Sequence, residues 1–129
     1  MKHLKKGKKL SRIKKQRKAL LKILAGELLV RGKITTTEAK AKELKIIAEK
    51  LCGMIKNSFP AGRKKILPSL RQVRSLLPKK TSAKLLFEIS KTLPSKKSGF
   101  VRIIKIGNRC SDGAKMALIE IIKKEEVKK

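Results

Sequence analysis

Ile34-Thr35-Thr36-Thr37-Glu38-Ala39-Lys40-Ala41-Lys42-Glu43-Leu44 changes its period part-way along, and the rest of the chain is read outward from it. Ile34 to Thr36 is short and β-branched, the composition of an isolated strand. It leads into a helix for which Thr35-Thr36-Thr37-Glu38 offers a capping box, a Thr hydroxyl on a free amide and Glu38 reaching back. Ala41, Leu44, Ala48, Leu51 and Ile55 follow at alternating spacings of three and four, which makes one continuous apolar face. Asn57, Ser58 and Pro60 stop the helix. Cys52 lies beside the apolar face and reads as a small core residue.

Upstream, a helix is expected from Ser11, with Leu20, Leu24 and Leu28 as its apolar stripe. Gly32 is placed to end it in a left-handed cap. Lys14, Lys15, Lys18 and Lys22 lie mostly off that stripe, so one side can face the protein and the other an anion. Downstream, all four prolines fall between Pro60 and Pro94. Short helices are expected at 69–77, with Leu70, Val73 and Leu76, and at 80–91, with Ala83, Leu86, Phe87 and Ser90 on one side. Pro68 and Pro78 are read as helix starts. Lys96 to Gly99 makes a basic turn. The period then becomes two: Phe100 to Ile106 and Lys115 to Ile122 are strands joined by Gly107 to Gly113. Val101 with Ile103, and Ala117 with Ile119 and Ile121, should meet the helices, leaving Arg102 to reach a ligand or Glu120.

The chain has 129 residues, enough for one domain with a modest core. Its 37 Lys and Arg stand against 9 Asp and Glu, a net charge of +28 that calls for a polyanion. Catalysis is excluded by what is missing. Asp112 is the sole Asp and His3 the sole His, the Glu residues are scattered, and no phosphate-cradling glycine loop occurs. Glu38 with Lys42 and Lys45 with Glu49 have the spacing of helical ion pairs. Cys52 and Cys110 are isolated and expected to be reduced thiols, so neither a metal nor a cofactor is expected. No apolar run exceeds four residues, which excludes a spanning helix and points to a soluble cytosolic protein.

Nucleic-acid binding accounts for the composition, because Lys and Arg release condensed counterions from phosphates. Aromatics are 2%, so stacking on bases is not the source of affinity. Residues 1–18 form a basic arm leading into the first helix, 11–122 one domain, and 123–129 a charged tail. The candidate contacts are Lys2, His3, Lys5, Lys6, Lys8, Lys9, Arg12, Lys14, Lys15, Arg17 and Lys18, then Lys40 and Lys42 near a helix start, then Arg102, Lys105 and Arg109 on the hairpin. Composition does not separate RNA from DNA. The lack of stacking aromatics, the basic arm beside a compact domain and the absence of a helix-turn-helix or zinc module lean toward structured RNA, with a nucleoid-type DNA-binding protein as the alternative and a peripheral membrane helix as a weaker third.

Three motifs carry the reading further. Met1-Lys2-His3 with Gly7, Leu10, Arg12 and Arg17, the Ile34 to Leu44 stretch, and Gly99 to Gly107 with Arg109, Asp112 and Ala114 to Ile121 occur in order and at fitting spacings. Together they resemble the bacterial large-subunit ribosomal protein family numbered seventeen. That resemblance implies an α+β fold in the order helix, strand, three helices, two strands, with the helices on one side of a small mixed sheet. It further implies a structural role in the large subunit near the nascent-chain exit. The partners implied are ribosomal RNA and neighbouring large-subunit proteins, with no membrane and no small-molecule substrate. The chain departs from the family pattern at Gln16, where His is usual, at Ser98-Gly99-Phe100 in place of Gly-Gly-Tyr, and at Ser111 in place of Gly. Gly113 is then the residue expected to take the left-handed position.

Overall fold

The computed structural model describes His3 and residues 7–59 and 63–124, with backbone alone for 63–67 and 69. The element order is α1 (Lys14–Arg31), β1 (Lys33–Thr37), α2 (Glu38–Ser58), α3 (Arg63–Leu76), α4 (Ala83–Thr92), β2 (Val101–Asn108) and β3 (Lys115–Ile121). This is an α+β fold in the expected order. The sheet, however, is antiparallel throughout and not mixed: β3 lies between β1 and β2 and pairs antiparallel with both. The β2–β3 hairpin fixes one pairing, and β1 enters from the other side against the direction of β3. The parallel strands, β1 and β2, are therefore never neighbours.

The apolar face of α2 forms as its spacing dictates. Ala41, Leu44, Ala48, Leu51 and Ile55 are buried, and so is Cys52. Above this face sits one side of the sheet, carrying Ala117, Ile119 and Ile121 from β3 and Val101 from β2. Burial pushes the Cys52 thiol up to about 12, so it stays protonated and inert, whereas Cys110 is exposed. A carboxylate fastens the hairpin to the same helix: Glu49 accepts the backbone N–H of Phe100 at 3.1 Å and that of Val101 at 2.9 Å. The expected pairing of Glu49 with Lys45 is replaced by these two bonds, because β2 starts directly over the helix and its free amides need an acceptor.

Two local expectations in the first half of the chain need correction. The capping box does not form: Thr37 is the N-cap, without a side-chain bond, and Glu38 opens the helix. Pairing with β3 extends through Thr37, so Thr35 is held in the strand and cannot serve as a cap. The buried stripe of α1 is Leu21, Ala25, Leu28 and Leu29, with Leu20 and Leu24 at its margin. The rotation brings the small face at Ala25 and Gly26 inward. Gly26 is where Pro78 approaches: a Cβ there would lie 2.7 Å from both Cδ and Cγ of the proline.

The Pro-rich third differs most. Pro68 lies inside α3 and Pro78 in a turn closed by Thr81 N–H on its carbonyl, so neither starts a helix. Helix α4 starts instead at Ser82, whose hydroxyl caps Leu85 N–H at 3.2 Å. Leu77 is buried where Leu76 was expected, and α4 turns Leu86, Ile89 and Leu93 inward while Phe87 is 44% exposed. Two expectations hold in detail. Gly32 caps α1 at φ 77°, its N–H bonded to Leu28 carbonyl, and Gly113 takes φ 65°.

The Gly26 contact gives a test whose sign is informative. In a free helix, Gly to Ala is stabilising by roughly 1 kcal/mol. Here Gly26→Ala is expected to destabilise by about 1–3 kcal/mol, because the proline ring must move out of a packed junction. Urea denaturation of the two proteins measures the difference, and a more stable variant would refute the close approach.

Candidate nucleic-acid interface

The candidate residues come from three parts of the chain. Lys2, Lys5 and Lys6 lie outside the described residues. His3, Lys8, Lys9 and Arg12 are exposed, as are Lys14, Lys15 and Lys18 on α1. Ile13, at the N-cap of α1, provides no side-chain bond, and the chain before it turns sharply, with Leu10 at φ 53° and Ser11 at φ 50°. Left-handed backbone at residues other than glycine costs on the order of 1 kcal/mol each and needs local support. The two arginines supply it. Arg12 donates to Leu10 carbonyl at 2.9 Å, and Arg17 donates to the carbonyls of Arg12 at 3.1 Å and Lys9 at 3.5 Å. One nitrogen of each guanidinium thus holds the arm in shape, while the lysines around them point to solvent.

Of the other candidates, Lys42 is brought together with the arm, whereas Lys40, Arg102, Lys105 and Arg109 do not line the same concavity. Lys8 of the arm, Lys42 of α2 and Lys115 of β3 line one concavity of about 370 Å³ at the start of α2, with Thr37, Glu38, Ala39 and Ala114. Strand β1 runs straight into α2, so the helix start sits at the end of the sheet from which the hairpin tip projects. Glu38 lies among these cations. Its carboxyl is held below the usual value first by the hydrogen bond from Lys42, then by the charges of Lys42, Lys105 and Lys115. The pair with Lys42 measures 2.6 Å. Lys40, two residues along α2 from Glu38, is half-buried. Sequence reasoning missed Lys115; its place as the first residue of the second strand, opposite Asn108, was the available signal.

Both hairpin arginines are engaged by carboxylates. Arg102 pairs with Glu120 across the strands. Arg109 forks onto Asp112, Nε to Oδ1 at 2.8 Å and one terminal nitrogen to Oδ2 at 2.6 Å. Asp112 Oδ1 also accepts Ala114 N–H at 3.2 Å, and Arg109 N–H bonds Ala114 carbonyl at 2.8 Å. The tip is therefore a preformed loop, stiffened by a two-pronged ion pair, that presents Asn108, Cys110 and Ser111 outward.

None of the aromatic rings is a free stacking platform. Phe100 is buried with the Lys56 ammonium 5.6 Å from its centroid, and Phe59 and Phe87 pack on each other at 5.3 Å. Lys91 lies over Phe87 at 4.2 Å. The surface thus offers ammonium groups to phosphates and little to bases. Among the described residues no helix is long and apolar enough to cross a membrane.

Known proteins resemble this chain over most of its length. A family model described as "Ribosomal protein L17" matches residues 20–122. Among curated proteins, one from Methylacidiphilum infernorum named "Large ribosomal subunit protein bL17" is 44% identical over 93% of this chain and 87% of its own length. Proteins of the same name from Staphylococcus haemolyticus and Rubrobacter xylanophilus are 39% and 36% identical, over 88% and 95% of this chain, and each aligns over 96% of its own length.

The tip loop titrates in a defined window. Arg109 beside it, and then the Ala114 N–H, hold the Asp112 carboxyl down from 3.8 to about 2. A carboxyl whose value falls on folding contributes above its unfolded value and stops contributing as pH drops through its folded one. The loop is therefore expected to stay ordered at pH 4 and loosen toward pH 2. The Ala114 amide shift should follow with a midpoint near 2, and Asp112→Asn should abolish that titration. A midpoint near 4 would mean the fork is not formed in solution.

Proposed function

Because this chain belongs to the ribosomal protein L17 family, we propose that it is a structural constituent of the large ribosomal subunit that binds ribosomal RNA. The supporting observation is the convergence of arm, helix start and hairpin, which collects Lys8, Lys42, Lys105 and Lys115 around one exposed end of the molecule. With Lys9, Lys14, Lys15 and Lys18 along α1, these ammonium groups act as point charges on phosphates. The proposed contacts also include Lys2, His3, Lys5 and Lys6 of the arm at residues 1–18, ahead of a single domain at 11–122 and a charged tail at 123–129. Arg12, Arg17, Arg102 and Arg109 contribute through the nitrogens that their internal partners leave free, and Lys40 lies beside the same helix start.

The role is one of architecture in the cytoplasmic ribosome, without catalysis, cofactor, metal or small-molecule substrate. Its place is near the nascent-chain exit, among other large-subunit proteins. Sequence-independent phosphate contact in a preformed shape suits a protein that must fit folded RNA, since A-form helices are recognised through shape and backbone. Sedimentation from lysate with and without ribonuclease discriminates the readings. Association with large subunits that ribonuclease abolishes supports this one, and association with DNA that survives it supports the nucleoid alternative.

The energetics give a second test. If about ten phosphates are neutralised, affinity for a ribosomal RNA fragment should fall by roughly 10⁴ to 10⁵ between 50 and 200 mM salt. Replacing Lys8, Lys42 and Lys115 together by Gln should reduce the slope of log affinity against log salt by about 2–3. An unchanged slope would place the contact elsewhere.

A further inference from the structure

The two edges of the sheet are finished differently. On β2, the free amide of Val101 is taken by Glu49, and a bulge between Lys105 and Gly107 distorts the far end of the strand. Both are recognised ways of closing an edge. Strand β1 has neither. It is Lys33-Ile34-Thr35-Thr36-Thr37, without proline or bulge, and nothing flanks it in the sheet but β3.

The ladder phase tells which groups face outward. Ile121 N–H bonds Gly32 carbonyl, and Ile122 N–H bonds Phe100 carbonyl. Odd-numbered residues of β3 therefore bond toward β1 and even-numbered ones toward β2. With Ile34 opposite Ile119 and Thr36 opposite Ala117, the even residues of β1 carry the ladder. The N–H and C=O of Lys33 and Thr35 point away from β3, and no hydrogen bond among the described residues ends on them. They border an open groove of about 770 Å³ between β1 and α1, walled by Leu24, Glu27 and Arg31 and by Ile34 and Leu118.

We propose that this groove is a strand-addition site, in which an extended acidic segment of another protein pairs with the free edge of β1. An added strand would lie about 4.8 Å from β1 and take up the four backbone groups of Lys33 and Thr35. Side chains on one face of it would meet Leu24 and Ile34, and those on the other face would lie toward Thr35 and Leu118. Charge selects the occupant. A second copy also carries +28 and is repelled, whereas an acidic segment is drawn in and finds Lys33 at the edge. RNA is disfavoured because Arg31 is already paired with Glu27 at 2.8 Å and the remaining wall is apolar. This inference is independent of the RNA-binding reading, whose cations lie elsewhere.

The probe is a seven-residue capped peptide alternating valine or threonine with glutamate, added to the full-length protein. Amide hydrogen exchange at Lys33 and Thr35 should slow at least tenfold at saturation. A peptide of equal charge with prolines at the pairing positions should not protect them. Thr35→Pro removes one outward N–H at an edge position that tolerates proline, and should weaken binding about tenfold. Leu24→Glu places like charge in the groove wall and should weaken it without touching the strand. Four outcomes would each overturn the proposal: no protection, equal binding of the proline peptide, protection that depends on protein concentration alone, or the same protection from an RNA oligonucleotide.

Discussion

Burial of one face of α2 is the interaction on which the rest of this structure depends. Leu44, Leu51 and Ile55 are each at or below 1% exposure, worth roughly 1.5–3 kcal/mol apiece relative to exposure. Ala41 and Ala48 alternate with them, keeping the stripe shallow enough for the sheet to settle on it. Helices α1, α3 and α4 surround the same stripe, contributing Leu28 and Leu29, Val73, and Leu86 with Ile89 to one contiguous core. In a chain of net charge +28, self-repulsion opposes compaction at every surface, and this interior is what opposes it. Glu49 adds direction to that packing. By accepting two amides at the start of β2, it fixes where the hairpin leaves the helix.

The position of the cations follows from this geometry. Because β1 continues without a loop into α2, the end of the sheet and the start of the helix coincide. Lysines at that helix start and on the projecting hairpin therefore share one end, although Lys42 and Lys115 are far apart in sequence. The arm reaches the same end because its turn, held by Arg12 and Arg17, brings Lys8 back beside Thr37 and Ala39.

How much of this the sequence disclosed depended on whether the signal was local. The α2 stripe, the Gly32 cap and the two alternating strands are short-range patterns, and each appears where it was read. The misreadings share a different cause. Thr35 has the chemistry of a cap, but a partner strand 83 positions downstream, at Leu118, claims it first. Leu20, Leu24 and Leu28 form a fair stripe on paper, and what rotates it is a proline ring at residue 78 seated against Gly26. Glu49 matched a helical pair with Lys45 until two strand amides were placed above it. In each case a tertiary contact outbid a local propensity. The meeting of Lys8 with Lys42 and Lys115 has no local signature at all, and only the sheet order creates it.

The charged residues also divide by chemistry. Carboxylates are scarce, and those of Glu27, Asp112 and Glu120 are given to arginines: Arg31, Arg109 and Arg102. Arg12 and Arg17 are given to backbone carbonyls in the arm. Planar guanidinium groups, which hold a fixed geometry through several donors, thus serve largely as internal braces, and most of the lysines are left outward. An ammonium group on a flexible stem adapts to whatever phosphate lies within reach and contributes little register of its own. Register must then come from the shape of the braced parts, which are the turned arm, the forked tip and the helix start. In the RNA complex proposed above, such a surface would gain affinity from its many lysines and accuracy from its few arginines, and losing one kind should not reproduce the loss of the other.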